Sequence, residues 1–287
     1  MTISLPFLRP TPHALVRRIR DLPPAPKVLH KLQQLVSSPT ATIRQIAEVV
    51  QLEPGLAARV VKMAQGTRFG RGVPSASIAE AIQRVGLAGV HELVTYAVAA
   101  QLVGRPLRGY GLEAQALWSR AVACAIAASS LAERSDVDRG DAYTAGLMHG
   151  IGLLVIDRHA TQKEQPRLES VGYPWDFAPA ERAWLGFSHA EAGAALLELW
   201  GFSAPVIAAV RYQLEPEEAD AGDRKLSMVV ATARWARSLF CVPEEKIPEL
   251  PAAHWLEEAG VQIGDFGEWL GTVRRRYQIT CGELRLG

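Results

Sequence analysis

The sequence predicts an all-α fold, a helical bundle assembled from many short helices. Three observations carry this. Apolar residues recur at i, i+3, i+4 and i+7 in one segment after another, the spacing of a single buried helical face. Pro, Gly and Ser or Thr stand at the segment ends, where helix starts and stops need them. No run of alternating β-branched residues suggests a strand.

The N-terminal arm, residues 1–20, carries Arg17, Arg18 and Arg20, a small basic cluster that reads as solvated surface. Leu22-Pro23-Pro24-Ala25-Pro26 is a stiff extended entry, because proline is tolerated ahead of a helix or in its first turn. A helix with Leu29, Leu32 and Val36 on one face follows and stops near Ser37-Ser38-Pro39. Thr42 caps the next, which carries Ile43, Ile46, Ala47 and Val50. Beyond Glu53-Pro54-Gly55 a helix carries Ala57, Val60, Val61 and Ala64. Ser77 caps a third of this kind, with Ile78, Ala81, Ile82 and Val85, and Gly86 ends it. Val90, Leu93, Val94, Ala97 and Val98 mark one more.

Residues 104–111, rich in Gly and Pro, form a connection. Leu117 to Arg134 is an Ala-rich helix. Ala142 to Arg158 reads as one helix, apolar nearly all round and so central. A loop over 166–179 leads to helices over 179–185, 188–200 and 205–213. A charged stretch, 215–225, precedes a helix from Leu226 to Phe240. Pro243, Pro248 and Pro251 break up the next part, and two more helical pieces carry Trp255 and Trp269.

Composition narrows the function. Among 287 residues, 31 Lys and Arg face 30 Asp and Glu, a net charge of +1. A non-specific nucleic-acid binder needs a basic excess to release counterions, so that class is not expected. Cys124, Cys241 and Cys281 are scattered and form no C-x-x-C pair, which suggests neither a disulfide framework nor a cysteine zinc site. A reducing cytoplasm is the simplest setting. No apolar run approaches the roughly 20 residues of a membrane span. There is no phosphate loop, dinucleotide fingerprint or zinc helix, and no nucleophile elbow. The 77–98 segment has the outline of a helix-turn-helix, but its second helix is largely apolar and offers only His91, Glu92, Thr95 and Tyr96 to a groove. Arg274-Arg275-Arg276 reads as a solvated face.

The informative segment is Ala142 to Gly152, where His149 stands among small residues. Small residues let a second helix approach closely, which puts His149 at a buried helix crossing. A lone buried His is more often a satisfied core residue than a ligand. Downstream, Glu181 and His189 frame Trp184-Leu185-Gly186-Phe187-Ser188, and His189 shares a helical face with Gly193.

In order and spacing, these pieces resemble the HDOD domain, the HD-related output domain of bacterial signalling proteins. The resemblance runs from Leu22-Pro23-Pro24-Ala25-Pro26 through Glu53 to Ala64, Ser77 to Gly86, Leu117-Trp118 and Ala145 to Gly152. It closes with Ser188 to Gly193 and Trp200. It implies an HD-like helical bundle over 21–216, with an N-terminal helical lobe at 21–110 and a degenerate HD-like lobe at 111–216. Residues 217–287 would be a C-terminal helical extension packed on the domain.

The related HD phosphohydrolases hold metal with a His, a His-Asp pair and a further Asp, so that metal-bound hydroxide attacks a phosphoester. By this resemblance the first His position is Arg120, the His-Asp pair is His149-Gly150, and the late paired histidines fall at Gln213-Leu214. Only His149 and His189 keep imidazoles, and Glu181 keeps a carboxylate. Arg120 places a permanent cation where a metal would sit. No metal, no cofactor and no catalytic residue are expected. Two readings of Arg120 stay open. It lines an anion pocket with His149 and His189, or it pairs with a buried carboxylate, Glu181 or Asp141. The expected function is a non-catalytic bacterial signal-transduction module working in the cytoplasm through protein partners. The alternatives are a metal-dependent phosphohydrolase or phosphodiesterase of the HD type and a nucleotide-sensing module. Membrane and nucleic-acid partners are not expected.

Overall fold

A computed structural model of the chain describes residues 9–19, 42–51, 105–163, 167–171, 176–241 and 249–284, with single positions between 31 and 99. Among the described residues there is no strand. Leu107 and Leu112 form one isolated antiparallel bridge, and the turn between them places Gly111 at φ 62°. The helices are α1 (Pro12–Arg18), α2 (Ile43–Gln51), α3 (Ala114–Ala132), α4 (Arg139–Met148), α5 (Ile151–Gln162) and α6 (Ala178–Leu185). They continue as α7 (His189–Leu199), α8 (Ala204–Arg211), α9 (Ala221–Cys241), α10 (Ala253–Glu258) and α11 (Phe266–Leu284).

Local chemistry starts these helices. Thr42 and Gln45 cap α2 reciprocally: Gln45 N donates to Thr42 Oγ1 at 3.3 Å and Thr42 N to Gln45 Oε1 at 2.9 Å. Ser188 and Glu191 form the same box on α7. Prolines occupy the first turns of α1, α6 and α8, where no backbone donor is lost.

The Ala-rich α3 is buried almost all round and forms the axis, with α4, α9 and α11 packed on it. A second group runs α5 on α7, α7 on α8, and α8 on α4 and α9. Small residues set the closeness of the crossings. A Cβ on Gly146 would stand 2.9 Å from Ala125 Cα, so α3 and α4 touch backbone to backbone. A Cβ on Gly152 would fall within the carbonyl of His189 and the amide of Gly193, which brings α5 onto the first turn of α7.

Several expectations change. The single helix expected over Ala142 to Arg158 breaks into α4 and α5 at His149-Gly150. His149 Nδ1 donates to Gly146 O at 2.6 Å and takes the carbonyl that continued helix would give to residue 150. Helix α9 begins at Ala221, absorbing charged residues the sequence left in a connection, because Leu226, Val229, Val230 and Ala233 bury the face behind them. In α2, Ile46, Ala47 and Val50 are buried but Ile43 is 37% exposed, at the end of the stripe. The arm contains α1, whose Leu15 and Val16 pack on α7 and α5 while Arg17 and Arg18 face solvent. The helix expected around Ala57 to Ala64 lies outside the described residues, as do most of those at 27–36 and 77–98. Of their positions, Ile82 and Val90 are buried.

Residues beyond 216 contribute to the core. Trp269 and Val273 of α11 are fully buried. Arg276 holds Glu133 with two nitrogens at 2.9 and 2.8 Å, Arg139 reaches Glu133 at 3.0 Å, and Arg139 also binds the buried Glu92 at 2.9 Å. This network joins α11, α3 and α4 to Glu92. Glu92 and Thr95 are buried, so those two do not present a DNA-facing surface. Among the described residues no helix is long and apolar enough to cross a membrane.

The crossings give a test. Gly152→Ala must push α5 off α7 and costs about 1–3 kcal/mol as overpacking. Gly222→Ala, where a Cβ meets nothing within 4 Å, should instead gain about 0.4–1 kcal/mol. Urea unfolding of the two variants against the parent reads both signs.

Candidate functional site

His149 closes α4 and is almost wholly buried. Because its Nδ1 carries the proton given to Gly146 O, its Nε2 is left as an acceptor. That acceptor is taken by the guanidinium of Arg237, on α9. Arg237 Nε donates to Arg234 O at 3.0 Å, and Arg234 Nη1 to Gln213 O at 2.9 Å. Gln213 Nε2 donates back to His149 O at 2.7 Å and to Val210 O at 2.8 Å. The bonds close a ring through His149, Arg237, Arg234 and Gln213, joining α4, α8 and α9.

The ring is crowded with cations. Arg120, on α3, is 2% exposed. Burial first, then the charges of Arg237 and Arg234, lower its pKa to about 8. The same influences, burial first, hold His149 well below the ordinary histidine range and keep it neutral. A Cβ at Gly150 would make only ordinary contacts, 3.6 Å from Leu117 Cδ1, so packing does not force the absence of a carboxylate there.

A second cluster surrounds Glu181, which is fully buried on α6. Its Oε1 accepts from Tyr110 OH at 2.7 Å. Its Oε2 accepts from His189 N at 2.6 Å and meets His189 Nδ1 at 2.8 Å. Burial pushes this carboxyl up, but attraction to His189 and the bonds from His189 and Tyr110 win and hold it below the usual value. Burial and Glu181 raise the Tyr110 phenol. Asp176 lies within electrostatic reach of Arg234, His189 and Glu181, and burial raises it.

The structure therefore divides the predicted site residues. Arg120, His149 and Gln213 gather with Arg234 and Arg237, while Glu181 and His189 gather with Tyr110. The two imidazoles take different partners, Arg237 and Glu181. Of the carboxylates proposed for Arg120, Glu181 holds Tyr110 and His189, and Asp141 accepts Ser203 Oγ at 3.2 Å at the start of α4. Among the described residues no three of His, Cys, Asp and Glu converge as metal ligands. The residues sequence reasoning missed are Arg234, Arg237, Tyr110 and Asp176. One signal was present: Arg234 and Arg237 lie three apart beside Ala233 and Ala236, which places two cations on a helix whose neighbouring positions are buried.

Comparison with known proteins gives a family and a fold. The HDOD domain model matches residues 22–216. An uncharacterized protein of Treponema pallidum is 28% identical over 241 residues, covering 82% of this chain and 46% of its own length. The chain thus spans about half the length of that curated relative. An HDOD domain protein of unknown function from Geobacter sulfurreducens superposes with a TM-score of 0.69 at 20% identity, over 91% of this chain and 96% of its own. A candidate phosphohydrolase from Shewanella amazonensis gives 0.69 at 22%, over 94% and 97%. A candidate signal transduction protein from Marinobacter aquaeolei gives 0.71 at 22%, over 96% and 64%. At these identities the likeness to the solved structures is one of fold.

Both clusters make predictions. Above about pH 6.5 His149 is neutral folded and unfolded. Below it the unfolded chain binds a proton that the native state refuses, so stability falls by up to about 1.4 kcal/mol per pH unit until the lowered native pKa is passed. Urea unfolding between about pH 7 and pH 5 should show this slope, and His149→Gln should flatten it. Glu181→Gln replaces the charged acceptor of the bonds from Tyr110 OH and His189 N with a neutral amide and should cost about 1.5–3 kcal/mol at neutral pH, read from the shift in the unfolding midpoint.

Proposed function

The chain belongs to the HDOD domain family, and from that premise we propose that it is a non-catalytic signal-transduction module that acts by contact with protein partners. One observation carries the reading. The imidazole nitrogen that would face a metal, His149 Nε2, accepts instead from Arg237. The other donors do not offer a replacement. Both oxygens of Glu181 already accept hydrogen bonds, Gly150 has no side chain, and Arg120 and Arg234 add positive charge beside His149. A divalent cation would have to displace one guanidinium and sit against the others, at a cost that two imidazoles and an occupied carboxylate do not offset. The residues present do not fit the metal of an HD phosphohydrolase, and no hydrolytic step is routed through it.

With the metal position given to Arg237, the site becomes a structural joint between the HD-like lobe and the C-terminal extension. A signal that changes helix packing in one part can bias the other through that joint. The partners are proteins of a bacterial signalling pathway, and the extension, whose Arg237 completes the joint, is the element placed to present the outcome.

The metal-dependent phosphohydrolase is the reading to be tested against this one. Purified full-length chain should carry no stoichiometric Mn, Fe or Zn by elemental analysis and should not hydrolyse bis-p-nitrophenyl phosphate when those metals are added. Metal bound at one equivalent, together with turnover abolished by His149→Ala, would overturn the proposal. Cross-linking and pull-down from the native cytoplasm then tests the partner reading, since a module of this kind should be recovered with a signalling protein.

A further inference from the structure

Helix α1 lies ahead of the 22–216 family match and packs on α7 and α5. Leu15, Val16 and Ile19 are buried, an apolar set at i, i+1 and i+4. Among the described residues, two polar contacts tie this arm to the rest of the chain, and both are exposed. His13 Nε2 meets Glu198 Oε2 of α7 at 2.9 Å, and an Arg9 nitrogen donates to Ala183 O of α6 at 3.2 Å. Arg17 and Arg18 face solvent and make no ion pair among the described residues.

We propose that the face of α7 and α5 beneath α1 is a docking site for one amphipathic helix of a protein partner, and that α1 fills it as a replaceable occupant. A helix of seven residues does not hold itself together in water, so α1 is helical only while docked. Burying three aliphatic side chains is of the same order as the conformational entropy lost in ordering residues 9–19, so the docking is finely balanced. An exposed pair such as His13 and Glu198 adds little to it. A longer partner helix with the same apolar set brings its own helical cooperativity and displaces α1. This inference rests on the partner reading above and names the face that receives the partner, while the extension presents the outcome.

Charge decides what the partner helix carries. Arg18 lies within electrostatic reach of His159 on α5, and so does Lys163 at the end of that helix. His159 is held in place by stacking on Trp184 of α6, with ring centroids 5.4 Å apart. Burial first, then Lys163 and Arg18, hold His159 below its ordinary range. The basic end of α1 therefore meets other basic groups, and α1 is not the best occupant of its own site. A helix with an acidic residue in the place of Arg18 complements Lys163 and His159, and a cation in the place of His13 keeps the contact with Glu198.

The experiment titrates a fluorescent synthetic peptide of residues 9–19 into the full-length chain and into its full-length Leu15→Asp variant, read by anisotropy. The variant, whose own arm no longer competes, should bind the peptide about tenfold or more tighter than the parent. The same peptide carrying Arg18→Glu should bind about two- to fivefold tighter than the unaltered one, and high salt should remove that gain. The peptide carrying Leu15→Asp should not bind. Hydrogen exchange on the parent needs no substitution: α1 amides should exchange on the order of 100-fold or more faster than those of α7 around the fully buried Leu196 and Leu197. The inference fails if the peptide binds neither chain below about 1 mM, if it binds both alike with the variant folded by circular dichroism, or if α1 exchanges as slowly as α7. It also fails if the Arg18→Glu peptide is no tighter, or if the parent sediments as a dimer that Leu15→Asp breaks, which would make a second copy the occupant. Metal binding and turnover bear on the non-catalytic reading and leave the peptide result untouched, so the two can fail separately.

Discussion

A guanidinium donating to a neutral imidazole in the core is the interaction on which the arrangement of this protein turns. Arg237 and His149 are both buried, and an isolated cation at that depth is costly. The structure meets the cost with acceptors. Arg237 gives hydrogens to His149 Nε2 and Arg234 O, Arg234 gives one to Gln213 O, and Gln213 gives one to His149 O. Each bond requires the next. His149 can accept only because its other nitrogen is committed to Gly146 O, and that commitment is what ends α4 and lets α5 start in a new direction. A buried polar ring of this kind stabilises only when every member is in place.

The Glu181 cluster plays the complementary part. One buried carboxylate accepts from a phenol, a backbone amide and an imidazole, and so ties the 105–112 turn, α6 and the start of α7 together. Asp176 lies within electrostatic reach of Arg234 in the first cluster and of His189 and Glu181 in the second. Both clusters thus join helices through hydrogen bonds between buried polar groups, and each bond fixes the place of the elements that carry it.

The helices themselves were largely legible. Thr42 with Gln45, and Ser188 with Glu191, announce their caps by residue type and spacing alone, because capping is settled within one turn. The small residues around His149, Gly146 and Gly152 among them, signalled a close crossing. Where the reading failed, the competing force came from elsewhere in the chain. Nothing local in Ala142 to Arg158 announces a break, since the break depends on which way an imidazole turns. Arg237 gave no sign of reaching His149, 88 positions away. Composition and helical period record which face is buried, and not which distant group will meet it.

The sequence by itself determined the all-α class, most helix positions and the family, and it singled out Arg120, His149, Gly150, Glu181, His189 and Gln213 as positions where the chain differs from or keeps a known pattern. These follow from short-range rules: period, caps, and side chains missing from a known pattern. Only the tertiary structure decided the partners. It turned His149 toward Arg237, turned Glu181 toward Tyr110 and His189, and drew the extension into the site. Hydrogen bonds of buried groups are chosen by three-dimensional proximity once the apolar faces have packed. Residues from α3, α4, α8 and α9 meet only after that packing is complete.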